Sequence, residues 1–387
     1  MYSFEYAVVP LAFISGIWIP AMLLCSVPWV QKQMLYLHRV TLFPGKWLDE
    51  PERAGFLKNQ VAPFLVPTKD GERLFAWLIA PLGMYSQHVD EFVREKGGID
   101  RDMEERLAFR LLNEDPEARL LVYFHGNTAT VAQGRRTEEY RMYASGASEK
   151  IFILTFDYRG FGRSTGSPSE TGCLNDGAAV LDWALNVANI SPDRIILLGH
   201  SLGTAIATGT AHQYIAQNPP VEFAGLILCA SFTNAGNAFS AYSIGGVLPV
   251  MAPVQRIPFM QSWLTKLMQD TWKTDERLAD IMRKSSKFKL VLIHAKDDMT
   301  MPWRQTEELF KWALRGALGE ALTEAQIAEK VDVLDLGEAG WQEVWKSGEK
   351  MASKLIMRHG GHDTMTKWAP ASLAVLQCFG LSSPSTL

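Results

Sequence analysis

One short segment limits the folds open to this chain more than any other. The apolar run Ile195–Leu198 has the length of a buried strand, and it leads directly into Gly199-His200-Ser201-Leu202-Gly203. Small residues that suit a helix follow, beginning with Thr204-Ala205-Ile206-Ala207. Glycines on both sides of the turn are expected because a strand-to-helix turn this sharp leaves no room for a Cβ. The pattern therefore predicts a strand, a tight turn that presents Ser201, and a helix.

The rest of the chain supplies strands and helices in alternation. Strand-length apolar runs occur at Arg73–Ala80, Leu120–Phe124, Ile151–Phe156, Leu226–Cys229 and Leu290–His294, with a weaker one at Lys354–Met357. Helix-like segments separate most of them, at Ser169–Asn189, Leu202–Gln217, Gln305–Arg315 and Ala371–Phe379. This alternation predicts an α/β fold with a mostly parallel sheet covered by helices on both faces. Residues that follow the strand ends are therefore candidates for a functional site.

The composition excludes several classes of function. Of the 387 residues, 47% are hydrophobic and 21% charged, which is typical of a globular protein. The net charge of −4 leaves no basic surplus to neutralise phosphates, so we do not expect a nucleic-acid partner. The four cysteines are scattered and form no CxxC pair or Cys/His cluster, at Cys25, Cys173, Cys229 and Cys378. We therefore predict no metal site, no disulfide framework and no cofactor.

The N-terminal segment from Ala7 to Val30 carries no charged residue. As a helix, its roughly 24 residues would span about 36 Å, more than the hydrocarbon core of about 30 Å. Aromatic residues flank it as in interfacial belts, at Tyr2, Tyr6, Trp29 and Tyr36. We predict a single membrane-spanning anchor within residues 1–37, followed by one globular domain over residues 38–387.

Two other interpretations of this segment stay open. Three prolines, Pro10, Pro20 and Pro28, would kink a continuous helix, so a helix or hairpin lying in one leaflet is possible. A buried helix of the globular domain is the third. A cleaved signal peptide fits poorly because the residues before the segment include Glu5 and no Lys or Arg, and the apolar run is too long.

Four segments interrupt or connect the regular pattern. His38–Pro67 is predicted to be a polar connector, and Gln87–Arg119 a surface helix inserted between strands. Residues 231–286 are rich in large apolar side chains, and we predict that they form a helical lid over the site. The alternative is a helical excursion whose apolar face belongs to the core. Gly316–Glu349 is predicted to be a second helical insertion.

A histidine must activate the serine if Ser201 is to act as a nucleophile. Four histidines follow it in the chain, at His212, His294, His359 and His362. The first lies within the helix after the turn, and the second ends a strand. Two glycines before His362 give a flexible approach from the last strand, so we predict His362 as the base, with His359 second.

The acid that orients this histidine is expected in the loop after Leu290–His294. Asp297 and Asp298 are adjacent there, and the residue pattern does not choose between them. A tetrahedral intermediate also needs two main-chain donors, one of which is predicted to be the N–H of Leu202. The other is expected from His125-Gly126-Asn127, after the strand Leu120–Phe124, with the N–H of Asn127 donating.

Several motifs resemble one family when they are taken together. They are His125-Gly126-Asn127, Phe156-Asp157-Tyr158-Arg159-Gly160-Phe161-Gly162, Gly199-His200-Ser201-Leu202-Gly203-Thr204 and His294-Ala295-Lys296-Asp297-Asp298. They resemble the alpha/beta-hydrolase domain-containing protein 12 group, the membrane-bound lysophospholipid and monoacylglycerol lipases. The resemblance implies the α/β-hydrolase fold, one N-terminal transmembrane helix and a triad of Ser201, Asp298 and His362. In this family the acid lies four residues before a proline, which selects Asp298 and leaves Asp297 as a loop cap.

The resemblance also implies a function: hydrolysis of a single-chain lipid ester such as a lysophosphatidylserine or a monoacylglycerol. A protein-S-acyl thioesterase that uses the same triad is the second hypothesis, and a non-catalytic binding protein of this fold is the third. The family implies attachment to the endoplasmic reticulum membrane with the domain in the lumen. Lys32, Arg39 and Lys46 follow the anchor and no basic residue precedes it, which favours the cytosolic side instead. No protein partner is indicated.

Overall fold

The computed structural model describes residues 23–24, 26–41, 44–99, 103–241, 243–244, 248–249, 263, 265–319 and 323–382. Most of the predicted anchor lies outside these residues, as do positions 242, 245–247, 250–262 and 264 of the predicted lid. Among the residues that are described, no helix is both long enough and apolar enough to cross a membrane.

The described strands form one large sheet and one small hairpin. Their bounds are β1 Val61–Pro67, β2 Arg73–Ile79, β3 Arg119–Phe124, β4 Ile151–Phe156, β5 Ile195–His200, β6 Gly225–Cys229, β7 Ser243–Ile244, β8 Leu248–Pro249, β9 Lys289–Ala295, β10 Asp332–Asp335, β11 Gly340–Ser347 and β12 Lys350–Met357. The large sheet has the order β1-β2-β4-β3-β5-β6-β9-β12-β11-β10, and β7 pairs with β8. Its centre, from β4 to β12, is parallel, and antiparallel strands complete both edges.

The α-helices in the described part of the chain are α1 Pro28–Tyr36, α2 Leu82–Gln87, α3 Val89–Arg94, α4 Leu107–Glu114, α5 Gly134–Ser145, α6 Glu170–Asp182, α7 Leu202–Ile215, α8 Ala235–Ala241, α9 Thr274–Lys284, α10 Arg304–Leu318, α11 Glu324–Ala328, α12 Gly361–Thr364 and α13 Ala369–Phe379. A π-helical turn, Trp183–Val187, continues α6. Short 3-10 turns occupy Gly45–Trp47, Pro51–Ala54, Met103–Glu105, Pro192–Arg194, Gly337–Ala339 and Met365–Lys367.

The predicted parallel sheet with helices on both faces is confirmed. Residues of α6, α7, α9 and α10 join one hydrophobic cluster on one face, and α5 and α13 join a second cluster on the other. The central strands are buried on both faces, as their uninterrupted apolar sequences predict. Three of the cysteines, Cys173, Cys229 and Cys378, are free and buried in these layers.

Three of the connecting segments differ from the sequence prediction. His38–Pro67 is not only a connector, since it ends in β1, which pairs antiparallel with β2. Gln87–Arg119 is not one surface helix: it holds α3, α4 and a 3-10 turn, and its Phe92 and Leu112 are fully buried. Gly316–Glu349 is not only helical: besides the end of α10 and the helix α11 it holds β11, which pairs along the whole length of β12, and β10, which adds to the outer edge of β11. The strands in this charged segment are recognised only through their pairing with β12 and with each other.

Helix α1, which lies at the end of the predicted anchor region 1–37, packs against the globular part of the chain. Tyr36 has no exposed surface, and its hydroxyl donates to Asp270 Oδ2 at 2.7 Å. Gln31 bonds through its side-chain amide to the main chain of Leu267 and Gln269, at 3.1 and 3.3 Å. The domain division after residue 37 stays a prediction, but it would separate these packed residues from the unit that they complete.

Candidate active site

The turn around Ser201 has the strained geometry that its sequence predicts. Ser201 has φ 52° and ψ −120°, a conformation that costs a non-glycine residue about 1–3 kcal/mol. A Cβ at Gly199 would lie 2.5 Å from the carbonyl oxygen of Gly203, and one at Gly203 would collide with the carbonyl of Phe124. Helix α7 can therefore begin against β3 and β5 only because both positions are glycine.

The structure brings Ser201, His362 and Asp298 together at the carboxyl ends of the central strands. Ser201 follows β5, Asp298 follows β9, and His362 lies just beyond β12. His362 Nε2 is 3.1 Å from Ser201 Oγ, and its Nδ1 is 2.7 Å from Asp298 Oδ2. The second candidate base, His359, is not part of this group: its side chain is 69% exposed and faces Asp297 at 3.8 Å.

Asp298 is held by more donors than His362 alone. The main-chain N–H groups of Thr300 and Met301 donate to its Oδ1, both at 2.8 Å. His294 Nε2 lies 3.0 Å from Oδ2, and His294 Nδ1 lies 2.7 Å from Thr306 Oγ1. Burial opposes ionisation, but the hydrogen bonds from His294 and His362 hold the pKa of Asp298 well below its ordinary value. The acid is therefore a carboxylate with a fixed orientation.

The pKa of His362 is shifted in the opposite direction. Burial alone would lower it, but the hydrogen bond and the negative charge of Asp298 raise the pKa of the imidazole above its ordinary value. The neighbouring Asp297 serves the loop instead, since its Oδ1 accepts the main-chain N–H of Gly361 at 2.8 Å. The loop-cap role that the resemblance implied for Asp297 agrees with this bond.

His200, the variable residue before the serine, has a role that the sequence did not indicate. Its Nε2 donates to the main-chain carbonyl of His362 at 2.9 Å. Burial and the nearby His362 lower the pKa of His200 to about 4, so this side chain is neutral near pH 7. His200 thus ties the serine turn to the turn that carries His362.

The two predicted main-chain donors border the same cavity as Ser201. Leu202 is the first residue of α7, where an N–H has no partner within the helix, and Asn127 belongs to the segment 126–130 after β3. We call residues 126–130 the oxyanion loop. His125, just before it, is fully buried with its Nδ1 2.7 Å from the carbonyl of Gly126. Burial and the charge of Arg136 hold the pKa of His125 well below its ordinary value, so we assign it a structural role.

A cavity of about 350 Å³ adjoins Ser201. This volume is in the range of small-molecule sites. Much of its wall is apolar, from Met34, Leu35, Leu202, Phe232, Phe239 and Met301. Arg135 and Asp363 add a half-exposed ion pair of 2.9 Å to the same wall. The cavity therefore combines an apolar chamber with a charged rim.

Possible metal-binding groups near the triad are engaged in other bonds. Donor atoms of His200, His362 and Asp363 lie within 4.8 Å of one another. However, His362 Nε2 faces Ser201, His200 Nε2 donates to a carbonyl, and Asp363 pairs with Arg135. This cluster is the hydrogen-bond network around the triad.

Known proteins resemble the chain in sequence. The family model of the alpha/beta hydrolase fold matches residues 119–245. Human protein ABHD12B is 31% identical over 197 residues, which cover 50% of this chain and 49% of ABHD12B. The lysophosphatidylserine lipase ABHD12 of Danio rerio is 26% identical over 307 residues, 78% of this chain and 72% of that protein. Against most of the other ABHD12 proteins the chain spans about half of their length.

The fold is also that of a known structure. An alpha-beta hydrolase from Vibrio vulnificus superposes with a TM-score of 0.55 at 15% identity, over 93% of both chains. At this identity the likeness concerns the fold alone. The α/β-hydrolase fold and the resemblance to the ABHD12 group, both predicted from the motifs, are thus confirmed.

Proposed function

We propose that this chain of the α/β-hydrolase fold, similar to the ABHD12 group, is a serine hydrolase that cleaves carboxylic esters of single-chain lipids. The observation that carries the proposal is the unbroken series of hydrogen bonds from Ser201 Oγ through His362 to Asp298, beside a cavity with apolar walls. Asp298 is held in its ionised form, which stabilises the imidazolium, and the raised pKa of His362 makes its neutral imidazole a stronger base for the proton of Ser201.

In the first half of the reaction Ser201 Oγ attacks the acyl carbonyl carbon, and its proton moves to His362 Nε2. Asp298, already bonded to Nδ1, stabilises the imidazolium that forms. The carbonyl oxygen becomes an oxyanion, which the N–H groups of Leu202 and Asn127 stabilise. Imidazolium then protonates the leaving alcohol, the C–O bond breaks, and the acyl group stays on Ser201.

Water completes the cycle by the same steps. His362 removes a proton from the water as the oxygen attacks the acyl carbon, and Ser201 leaves with that proton. The fatty acid is released and the hydroxyl is restored.

The walls of the cavity support a lipid substrate. Six apolar side chains form a surface suited to an acyl chain, and the ion pair of Arg135 and Asp363 can meet a polar head group. Relatives named lysophosphatidylserine lipases support a lysophospholipid, and a monoacylglycerol offers the same ester with a smaller alcohol.

Attachment to a membrane belongs to the same proposal. The uncharged segment Ala7–Val30 supports a single N-terminal anchor, with the endoplasmic reticulum as the membrane that the resemblance implies. We further propose that residues 231–286 act as a lid, because Phe232, Ala238 and Phe239 from its first part line the cavity.

A fluorophosphonate probe tests the nucleophile directly, since it reacts with an activated serine. Wild-type protein should be labelled, and Ser201→Ala should not. Ser86→Ala is the matched control and should be labelled like the wild type, because Ser86 is exposed on α2 and its hydroxyl donates to the carbonyl of Gly83. Folded protein that resists the probe, or undiminished labelling of Ser201→Ala, would refute the serine mechanism.

The substrate class requires a separate assay. We expect release of fatty acid from lysophosphatidylserine and monoacylglycerol, measured with the full chain in detergent micelles. A palmitoylated peptide in the same assay tests the thioesterase hypothesis. Labelling by the probe with cleavage of the thioester alone would keep the triad and replace the proposed substrate.

A further inference from the structure

Arg136, on the first turn of α5, is buried directly behind the oxyanion loop. Its Nη1 donates to the carbonyl of Thr130 at 2.7 Å. Its Nη2 donates to three more carbonyls, those of Gly126 and Asn127 at 3.1 Å each and that of Thr128 at 2.8 Å. One guanidinium thus donates to four main-chain carbonyls of one short loop, all of which point toward Arg136.

The loop has a conformation that needs such a contact. Thr128 and Ala129 are consecutive residues with positive φ, 69° and 58°. A positive φ is unfavourable for a residue with a Cβ and persists only when its surroundings impose it. Converging carbonyls also repel one another unless a donor lies between them, and Arg136 is that donor.

Main-chain groups hold the loop from its other side. The N–H of Thr128 donates to the carbonyl of Tyr36 at 2.9 Å, and the N–H of Ala129 donates to that of Val40 at 2.7 Å. The loop carbonyls thus bond to Arg136, and the loop N–H groups bond to the end of α1 and the residues just after it. These bonds on both sides fix the orientation of the peptide planes. The plane that contains the N–H of Asn127 is among those fixed, because its carbonyl belongs to Gly126.

We propose that Arg136 is a positioning residue for the oxyanion: it holds the loop so that the N–H of Asn127 is directed at the carbonyl oxygen of the substrate. The inference rests on the proposed function. Arg136 borders the same cavity as Ser201, but its guanidinium bonds to the loop carbonyls, so in this proposal it acts through the loop. A lysine could not replace it, because a single ammonium lacks the planar fork that reaches four carbonyls.

The chain offers a matched control on the same helix. Arg141 also donates to main-chain carbonyls of a turn, those of Ala54 and Gly55 at 3.0 and 3.4 Å, but none of these residues is among those that line the cavity beside Ser201. Arg136→Lys and Arg141→Lys therefore remove the same chemistry in two places. Only the first should affect the reaction.

The experiment compares both variants with wild type in the full chain. For Arg136→Lys we expect kcat to fall about 100-fold, the usual effect of a misplaced group in a preorganised site, with little change in KM. For Arg141→Lys we expect an unchanged kcat. Thermal unfolding of both variants measures the structural cost of losing each arginine.

A transition-state analogue separates positioning from folding. Ser201 Oγ adds to the carbonyl carbon of an alkyl trifluoromethyl ketone, its proton moves to His362, and the ketone oxygen becomes an oxyanion. The affinity of Arg136→Lys for this ketone should fall by the same factor as kcat/KM. Its affinity for the matched secondary alcohol, which cannot form an oxyanion, should not change.

A second variant keeps the inference testable if Arg136→Lys folds poorly. Ala129→Gly makes positive φ inexpensive, so adding it to Arg136→Lys should restore part of the lost turnover. Three results would each overturn the role of Arg136. The first is an unchanged kcat in Arg136→Lys, and the second is an equal loss of affinity for the ketone and the alcohol. The third, if Arg136→Lys folds poorly, is that adding Ala129→Gly restores no turnover. An inactive wild type that the fluorophosphonate does not label would instead refute the proposed function.

Discussion

Asp298 illustrates how much a single side chain depends on residues far from it in sequence. Its carboxylate accepts from two main-chain N–H groups and contacts two imidazoles, those of His294 and His362. Its neighbour Asp297 has the same chemistry and lies one position earlier, yet it contacts the loop at Gly361. The difference comes from the direction in which each side chain leaves the backbone after β9.

Exchanging each aspartate for asparagine tests this assignment. Asp298→Asn should lower kcat about 10⁴-fold, because an amide stabilises the wrong imidazole tautomer and provides no negative charge. Asp297→Asn should keep most of the turnover, since its amide oxygen can still accept from Gly361. Steady-state kinetics on one ester checks both. The larger loss in Asp297→Asn would shift the acid by one residue.

The pH dependence of the reaction follows from the raised pKa of His362. Only the neutral imidazole accepts the proton of Ser201, so kcat/KM should rise as pH passes through this pKa. Because Asp298 raises the pKa against the opposing effect of burial, the midpoint should lie above the ordinary value of about 6.5.

The pH–rate profile of the wild type measures this midpoint. In Asp298→Asn the negative charge is gone, so the midpoint of its residual activity should move to lower pH. Asp297→Asn serves as the control and should keep the wild-type midpoint. A midpoint below 6.5 in the wild type would contradict the proposed pairing of His362 with Asp298.

At the scale of elements, α1 belongs with the active site rather than with the anchor alone. The helix contributes Met34 and Leu35 to the wall of the cavity, and the carbonyl of Tyr36 accepts from the oxyanion loop. On the same helix Trp29 is 65% exposed. One helix thus contains a core residue and an exposed aromatic residue, seven positions apart.

Substitutions at these two positions should have very different effects on stability. Tyr36→Ala should lower the free energy of unfolding by about 3–5 kcal/mol, because it empties a buried aromatic site. Tyr36→Phe should cost about 1.5–3 kcal/mol through the lost bond to Asp270. Trp29→Ala should stay within about 0.5 kcal/mol. Urea unfolding followed by circular dichroism measures all three, and equal losses at both positions would contradict the packing of α1.

The segment Gly316–Glu349, predicted as a helical insertion, shows where the prediction of helices and strands from sequence fails. The pattern of Gly316–Glu349 does not distinguish a charged helix from a charged strand, because its burial is partial and mixed. Pairing with β12 decided the outcome, and pairing is a contact between separate parts of the chain. The segments with continuous apolar runs were predicted correctly, because burial on both faces leaves a direct trace in composition.

At the scale of the whole molecule, the site lies where the parallel strands end. β3, β5, β9 and β12 bring the oxyanion loop, Ser201, Asp298 and His362 to one edge of the sheet. Antiparallel strands at both sides extend the sheet without contributing to the site. The proposed anchor enters this arrangement through α1, so the cavity and the membrane segment are separated by only a few residues.

Two truncations test this arrangement. A chain that starts at Ser26 retains α1 and should hydrolyse a water-soluble ester like the full chain, but it should no longer sediment with phospholipid vesicles. A chain that starts at His38 loses Leu35 and Tyr36 and should lose activity on the same ester. If the chain that starts at Ser26 still binds vesicles, the membrane anchor lies outside the residues that this truncation removes.

The sequence by itself determined the central parallel strands of the sheet, the serine turn and the place of His362 after the last of these strands. These features depend on local patterns: apolar runs, glycines at a sharp turn, and the order of residues after strand ends. Only the tertiary structure decided which donors surround Asp298, that Arg136 reaches the oxyanion loop, and that α1 closes the cavity wall. Each of these is a contact between distant segments, whose distance depends on how the sheet and helices pack, and no local pattern specifies that distance.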